Sequence, residues 1–231
     1  MSRLRGLYAI TPDRPHRDRP LTEPVSRALN GGARIIQYRD KGIDRDRRLA
    51  EARDLSALCR DAGALLIVND DLDIAAESGA DGVHLGRDDQ DPQTARARLG
   101  PKAVIGISCY NDFERAKEAA EIGADYVAFG RFFPSETKPH AVQADPELLR
   151  RARRELELPL VAIGGITPEN GGLLIAAGAD MLAVIHGVFS ATDIRAAAHS
   201  FARLFTTQND TSNQNDTSKE TRAHDQIPRP V

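Results

Sequence analysis

Gly79-Ala80-Asp81, then Gly82-Val83-His84-Leu85-Gly86, then Arg87-Asp88-Asp89 set a glycine stop, a short apolar run and an abruptly charged end side by side. Glycine readily takes the left-handed conformation that ends a helix, so the stretch reads as helix end, strand and polar loop. The same opening recurs at Gly32-Ala33, Gly63-Ala64, Gly123-Ala124-Asp125 and Gly178-Ala179-Asp180. A recurrence of this kind marks one structural unit used repeatedly.

Working outward, apolar runs begin near Leu7, Arg34, Ala64, Asp81, Ala103, Asp125, Leu160 and Met181. Amphipathic helical segments lie between them, as with Leu49, Ala52, Leu55 and Leu58, and Pro92, Pro146 and Pro168 stand where helices would start and proline is tolerated. Eight alternations predict parallel strands with helical crossovers, closed into a single (β/α)8 TIM barrel of the α/β class; an open doubly wound sheet is the alternative. The strands break off into polar clusters at Gln37-Tyr38-Arg39-Asp40-Lys41, Asn69-Asp70-Asp71, Gly106-Ile107-Ser108 and Gly164-Gly165-Ile166. A closed barrel would gather all of these at one mouth.

The chain has 231 residues, 41% hydrophobic and 28% charged, enough for one substantial core. A net charge of −3 with no basic stripe argues against nucleic acid as a partner. Cys59 and Cys109 are too few for a disulfide framework or a structural zinc site, which fits a reducing compartment. The apolar run Leu7 to Ile10 is too short for a signal-peptide core and no segment reads as membrane-spanning, so a cytoplasmic protein is expected. From Thr206 to Val231 the chain repeats Gln-Asn-Asp-Thr-Ser with almost no apolar side chains, and we read a catalytic domain at 1–205 followed by a disordered tail at 206–231. Asn209-Asp210-Thr211 and Asn215-Asp216-Thr217 match a glycosylation pattern that needs secretion, and read as chance matches.

Gln37, Arg39 and Lys41 alternate, so continued extended structure would put an amide and two cations on one side, facing an anionic ligand; an ordinary charged surface loop is the plainer reading. Asp70 and Asp89 follow neighbouring strands, where two carboxylates could share a cation, and hard oxygen ligands favour Mg²⁺. Asp71 and Asp88 stand equally well as helix caps. His84 lies inside a strand with no second His or Cys at ligand spacing and reads as a hydrogen-bonded interior residue; Tyr8, Phe129 and Phe132 read as packing or pocket-wall groups. The hydroxyls and lysine of Ser135-Glu136-Thr137-Lys138 suit phosphate or diphosphate oxygens, and the bare backbone of Gly164-Gly165 and of His186-Gly187 suits a second anionic group.

Taken in chain order, Gly6-Leu7-Tyr8-Ala9-Ile10-Thr11, Gln37-Tyr38-Arg39-Asp40-Lys41, Val68-Asn69-Asp70, Gly82-Val83-His84-Leu85-Gly86, Gly106-Ile107-Ser108, Thr137-Lys138 and Ala162-Ile163-Gly164-Gly165-Ile166 resemble the thiamine-phosphate synthase family. The resemblance runs from about Gly6 to Phe205 and leaves the tail uncovered. It implies an enzyme that joins 4-amino-2-methyl-5-(diphosphooxymethyl)pyrimidine to a thiazole phosphate, releasing diphosphate and forming thiamine phosphate, with Mg²⁺ as cofactor and a homo-oligomer compatible with the family. Arg39, Lys41 and Lys138 are then the catalytic cations. Gln37, Arg39, Lys41, Asn69, Ser108 and Lys138 are implied to contact the pyrimidine diphosphate, with Tyr38 and Asp40 belonging to the same binding motif, and Asp70 and Asp89 to ligate the metal. Ser135, Thr137, Gly165 and the backbone at Ile185 and His186 are implied to address the thiazole phosphate.

The chain departs from the family pattern at Arg87, where Gln is frequent, at Tyr110, where His is frequent, and at Ser135, where Thr is frequent. Two rival readings are a related barrel that tautomerises a thiazole phosphate and a ligand-binding regulator without turnover. Arg39, Lys41, Asp70, Asp89 and Lys138 favour the diphosphate-using reaction.

Overall fold

Short runs rich in Val, Ile, Leu and Ala suit strands buried on both faces, which is the condition of a parallel sheet wrapped by helices. The computed structural model describes residues 3–13, 20–134 and 142–206. Strands β1 (Gly6–Ile10), β2 (Ile35–Tyr38), β3 (Leu65–Asn69), β4 (Gly82–Leu85), β5 (Val104–Tyr110), β6 (Tyr126–Gly130), β7 (Leu160–Ile163) and β8 (Met181–Val184) pair in parallel in chain order, and β8 closes on β1. Helices α1 (Thr22–Asn30), α2 (Arg45–Asp61), α3 (Leu72–Ser78), α4 (Pro92–Leu99), α5 (Phe113–Glu121), α6 (Pro146–Glu155) and α7 (Pro168–Ala176) form the crossovers. The short α8 (His186–Phe189) and then α9 (Ile194–Ala202) follow the last strand. The barrel is therefore closed, and the open sheet is ruled out.

Alternation along each strand divides the core in two. Tyr8, Ile10, Ile35, Leu65, Ile67, Tyr126, Ala128, Val161, Met181 and Ala183 fill the barrel interior. The intervening residues, among them Leu7, Ile36, Leu66, Val127 and Leu182, pack outward against the helices. Residues at i, i+2 and i+4 of a strand share a face, so the interior row of β2 runs from Ile35 through Gln37 toward Arg39.

The Gly-Ala repeat has a physical account. Gly32, Gly63, Gly79, Gly123 and Gly178 all have left-handed φ, between 66° and 117°. The amide of the following alanine then reaches back to the helix: Ala33 to Ala28, Ala64 to Cys59, Ala80 to Ala75, Ala124 to Ala119 and Ala179 to Leu174. This is the six-to-one bond of a Schellman helix end. Where aspartate follows, its carboxylate accepts the first free amide of the preceding strand: Asp81 from Leu66 at 2.9 Å, Asp125 from Ile105 at 2.7 Å and Asp180 from Leu160 at 2.8 Å. Arg96 also donates to Asp125 at 2.7 Å. These ties lie at the amino ends of the strands, away from the mouth.

Asp125→Ala should therefore lower stability by about 2 kcal/mol, since it strands the Ile105 amide and the Arg96 guanidinium. The midpoint of thermal unfolding would fall by roughly 5 °C while turnover stays unchanged. A parallel loss of turnover would contradict the separation of the two ends.

Pro92, Pro146 and Pro168 each open a helix. Asp71 caps α3 by accepting the Ile74 amide at 2.9 Å. Asp88 does not cap α4; Asp91 holds that place, accepting the amides of Gln93 and Thr94, because the loop continues past Asp88 before proline starts the helix. Cys59 and Cys109 are buried and free. The segment 207–231, with the repeated tail, lies outside the described residues, as do the basic stretch 14–19 and the loop 135–141 that carries Ser135, Thr137 and Lys138.

Candidate active site

At the carboxyl ends of the strands lies a cavity of about 480 Å³, lined among others by Tyr8, Gln37, Arg39, Asn69, His84, Ser108, Arg131, Gly165, Ile185 and His186. Gln37 is buried in the interior row and donates through Nε2 to the Tyr8 hydroxyl at 2.8 Å. The Arg39 backbone is clamped on both sides by the buried Thr11: its amide donates to Thr11 Oγ1 at 2.9 Å, and the Thr11 hydroxyl donates to its carbonyl at 3.1 Å. Its guanidinium pairs with Asp13. Tyr38 is different. Its side chain lies in the helix layer, where the hydroxyl donates to Glu51 of α2 at 2.8 Å, so strand alternation removes it from the cavity.

The expected single face for Gln37, Arg39 and Lys41 holds only as far as Arg39. β2 ends at Tyr38, and Asp40 turns the chain by accepting the Gly42 amide at 2.6 Å. The Asp40 carboxylate, nearly buried, also receives the fork of Arg47 at 3.0 and 3.1 Å. Asp40 thus holds the loop rather than offering its charge to a ligand, and Lys41 is carried toward β3.

There a second cleft, of about 410 Å³, is lined by Asp40, Lys41, Gly42, Arg48, Asn69, Asp70, Asp71, Leu72, Asp73 and Gln90. Asp70 leaves β3 with φ of +65°, a left-handed turn that Asp and Asn tolerate best among residues with a side chain. Lys41 donates to its carboxylate at 2.6 Å. Asp89 accepts the Gly86 amide at 2.5 Å, which folds the loop after β4 back over the strand end. Burial, and next the adjoining Asp70 carboxyl, push the Asp89 pKa up. Two carboxyls this close resist joint ionisation until a cation stands between them. Among the described residues no three His, Cys, Asp or Glu side chains gather as a metal cluster; two adjoining carboxyl groups, of which Asp70 lines the cleft, suit a hard cation that takes its remaining oxygens from phosphate and water.

The cavity floor is a chain of polar groups that sequence reading did not assemble. Tyr8 and Tyr126 share a hydrogen bond at 2.8 Å, Tyr126 reaches His84 Nδ1 at 3.0 Å, and His84 Nε2 reaches Ser108 Oγ at 2.8 Å. Above all, burial holds both phenols well above their ordinary pKa, so each is a neutral O–H group. Gly106 makes room for this chain: a Cβ there would stand 1.9 Å from the Tyr126 ring. His84 is thus a hydrogen-bonded interior residue. The signal that could have grouped these residues is their parity, since each falls on the inward row of its strand.

Arg115 of α5 was also missed. It donates to the Ser108 carbonyl at 2.8 Å and to the Gly86 carbonyl at 3.1 Å, tying the ends of β4 and β5 that present Ser108 and Asp89. Arg115→Ala should lower turnover roughly tenfold through misplacement of both groups. Steady-state kinetics beside a thermal melt would check it, and unchanged turnover would remove Arg115 from this role.

Opposite this wall, Gly165 has φ of +63°, and a Cβ there would lie 2.2 Å from the Pro134 carbonyl oxygen. Only glycine fits so close a crossing, and it leaves bare backbone facing the cavity near Ile185 and His186. The unusual Arg87 and Tyr110 are partners: the guanidinium carbon lies 5.1 Å from the ring centroid, within range of cation–π attraction.

The chain is similar to known proteins over most of its length. A family model described as thiamine monophosphate synthase matches residues 7–188. Thiamine-phosphate synthase of Aromatoleum aromaticum is 53% identical over 204 residues, covering 88% of this chain and 98% of that protein. The Nitrosococcus oceani protein of the same name is 54% identical over 208 residues, covering 90% and 96%. Among solved structures, thiamine phosphate pyrophosphorylase from Pyrococcus furiosus superposes with a TM-score of 0.79 at 36% identity, covering 87% of this chain and 96% of that one.

Proposed function

This chain belongs to the thiamine monophosphate synthase family, and we propose that it forms thiamine phosphate in thiamine biosynthesis by joining the pyrimidine diphosphate to the thiazole phosphate. The observation that carries the assignment of groups is that cavity and cleft meet at Asn69, which lines both. A pyrimidine ring in the cavity, against Gln37 and Ser108, would place its diphosphate past Asn69 toward Arg39 and Lys41. The thiazole phosphate would occupy the opposite side of the mouth, by Gly165 and the backbone of Ile185 and His186. Ser135, Thr137 and Lys138 enter this reading on the family motif alone.

In the reaction the methylene C–O bond breaks and its electron pair leaves with the diphosphate. The electron-rich aminopyrimidine carries the developing positive charge, and the thiazole nitrogen then donates its pair to the methylene carbon. No protein nucleophile is needed. Arg39 and Lys41 stabilise the departing negative charge, while the cavity walls hold the second substrate in line. Asp70 and Asp89 would hold Mg²⁺, which when bound supplies charge neutralisation to the diphosphate. Lys41, which pairs with Asp70, stands close enough to share that work.

One catalytic domain over 1–205 is the proposed extent. Cys59 and Cys109 are buried and free, which fits the proposed reducing cytoplasm, and no helix among the described residues is long and apolar enough to cross a membrane. The test is product formation by purified protein given both substrates, with and without Mg²⁺. Thiamine phosphate and diphosphate should appear in equal amounts and only with the metal. Turnover of the thiazole phosphate alone would instead favour the tautomerase reading, and absence of product from both substrates would overturn the synthase assignment.

A further inference from the structure

With the Gln37 amide turned so that Nε2 faces Tyr8, one proton arrangement gives every hydroxyl proton between Tyr8 and His84 an acceptor within the polar chain beneath the cavity. Gln37 Nε2 donates to the Tyr8 oxygen, so the single Tyr8 proton is available for Tyr126. The Tyr126 proton then goes to His84 Nδ1, which must accept, and a neutral imidazole accepting there carries its proton on Nε2. Nε2–H donates to Ser108 Oγ. The Ser108 proton is left over and faces the cavity that Ser108 lines. Running the chain the other way would have Tyr8 accept from both neighbours and leave its own proton without an acceptor among the members of the chain.

We infer that His84, Tyr126 and Tyr8 are positioning residues which fix the Ser108 hydroxyl as a hydrogen-bond donor toward an acceptor atom of the bound pyrimidine diphosphate. The functional half of this inference rests on the proposed reaction. The relay itself rests on geometry alone: four contacts of 2.8 to 3.0 Å link β1, β2, β4, β5 and β6. Gly106 supports it by letting the Tyr126 ring cross the interior. In this scheme one N–H of the Gln37 amide is committed to the floor, and its second N–H and its carbonyl oxygen remain at the opposite end from Ser108.

The first test uses the unsubstituted full chain without substrates, labelled with ¹⁵N-histidine, the His84 signals being assigned against His84→Gln. A pyrrole-type shift at Nε2 and a pyridine-type shift at Nδ1 are expected at neutral pH. The opposite tautomer, or an imidazolium, overturns the relay whether or not the protein has synthase activity. The second is a double-mutant cycle. Tyr126→Phe keeps the ring and removes the hydroxyl, and should lower kcat about tenfold, the worth of one buried hydrogen bond, with little change in KM. The same change made in Ser108→Ala protein should cost nothing more. An undiminished tenfold loss in that background, or no loss in the parent, overturns the proposal. If the parent makes no thiamine phosphate, the proposed function fails while the tautomer still decides the relay.

Discussion

Asp70→Asn should reduce kcat at limiting Mg²⁺ by at least about a hundredfold, with saturating Mg²⁺ recovering part of the loss. One well-placed electrostatic partner of a leaving group is worth about 3 kcal/mol of barrier, roughly that factor in rate. Asparagine is the informative replacement because Asp70 sits at φ of +65°, where Asn is as comfortable as Asp and Ala is strained. The fold should hold, since the substitution also removes the crowding of two carboxyls at Asp70 and Asp89. Lys41 loses the ion pair it makes at 2.6 Å, but a half-exposed pair of this kind contributes little to stability. Turnover and its Mg²⁺ dependence, measured beside a melting curve, decide the matter. Near-normal rates at limiting Mg²⁺ would take Asp70 out of the metal site.

The largest effect on stability is expected from Gly106→Ala. The new methyl would sit 1.9 Å from Tyr126 Cζ and 2.3 Å from its hydroxyl oxygen, inside the ring's own volume. Tyr126 is fully buried between Tyr8 and His84, so it has nowhere to rotate. Overpacking of this severity should cost about 3 kcal/mol and lower the unfolding midpoint by roughly 10 °C. Turnover of whatever remains folded should fall as well, because a displaced Tyr126 breaks the contact to His84. A melt indistinguishable from the parent would show that the interior has more room than these distances allow.

The fold was legible in the chain because its signals were local and repeated. Each predicted strand start falls within one residue of the observed one, and the glycines at 32, 63, 79, 123 and 178 end helices through their left-handed φ. The grouping of Gln37, Arg39, Asn69, Ser108 and Gly165 around one cavity was legible through strand ends and motif order. What escaped reading depended on angles that sequence does not print. Tyr38 sits between two residues lining the cavity yet points to the helices, and Lys41 leaves the line of Gln37 and Arg39 because Asp40 bends the chain. The relay through Tyr8, Tyr126 and His84 joins residues from three strands, and the hold of Arg115 on Ser108 and Gly86 comes from a helix beyond the barrel wall. Such contacts are set by the closure of the sheet.

The aspartates at the foot of the barrel bear on how the chain could be taken apart. Asp125 grips the foot of β5 from the far side of α5, and Asp180 grips that of β7 from the far side of α7. A cut made just ahead of Gly123 leaves the Ile105 amide on one fragment and its acceptor on the other. The natural module of assembly thus straddles the seam between one strand–helix pair and the next, and fragments divided at such a seam would carry complementary halves of a bond that draws them back into register.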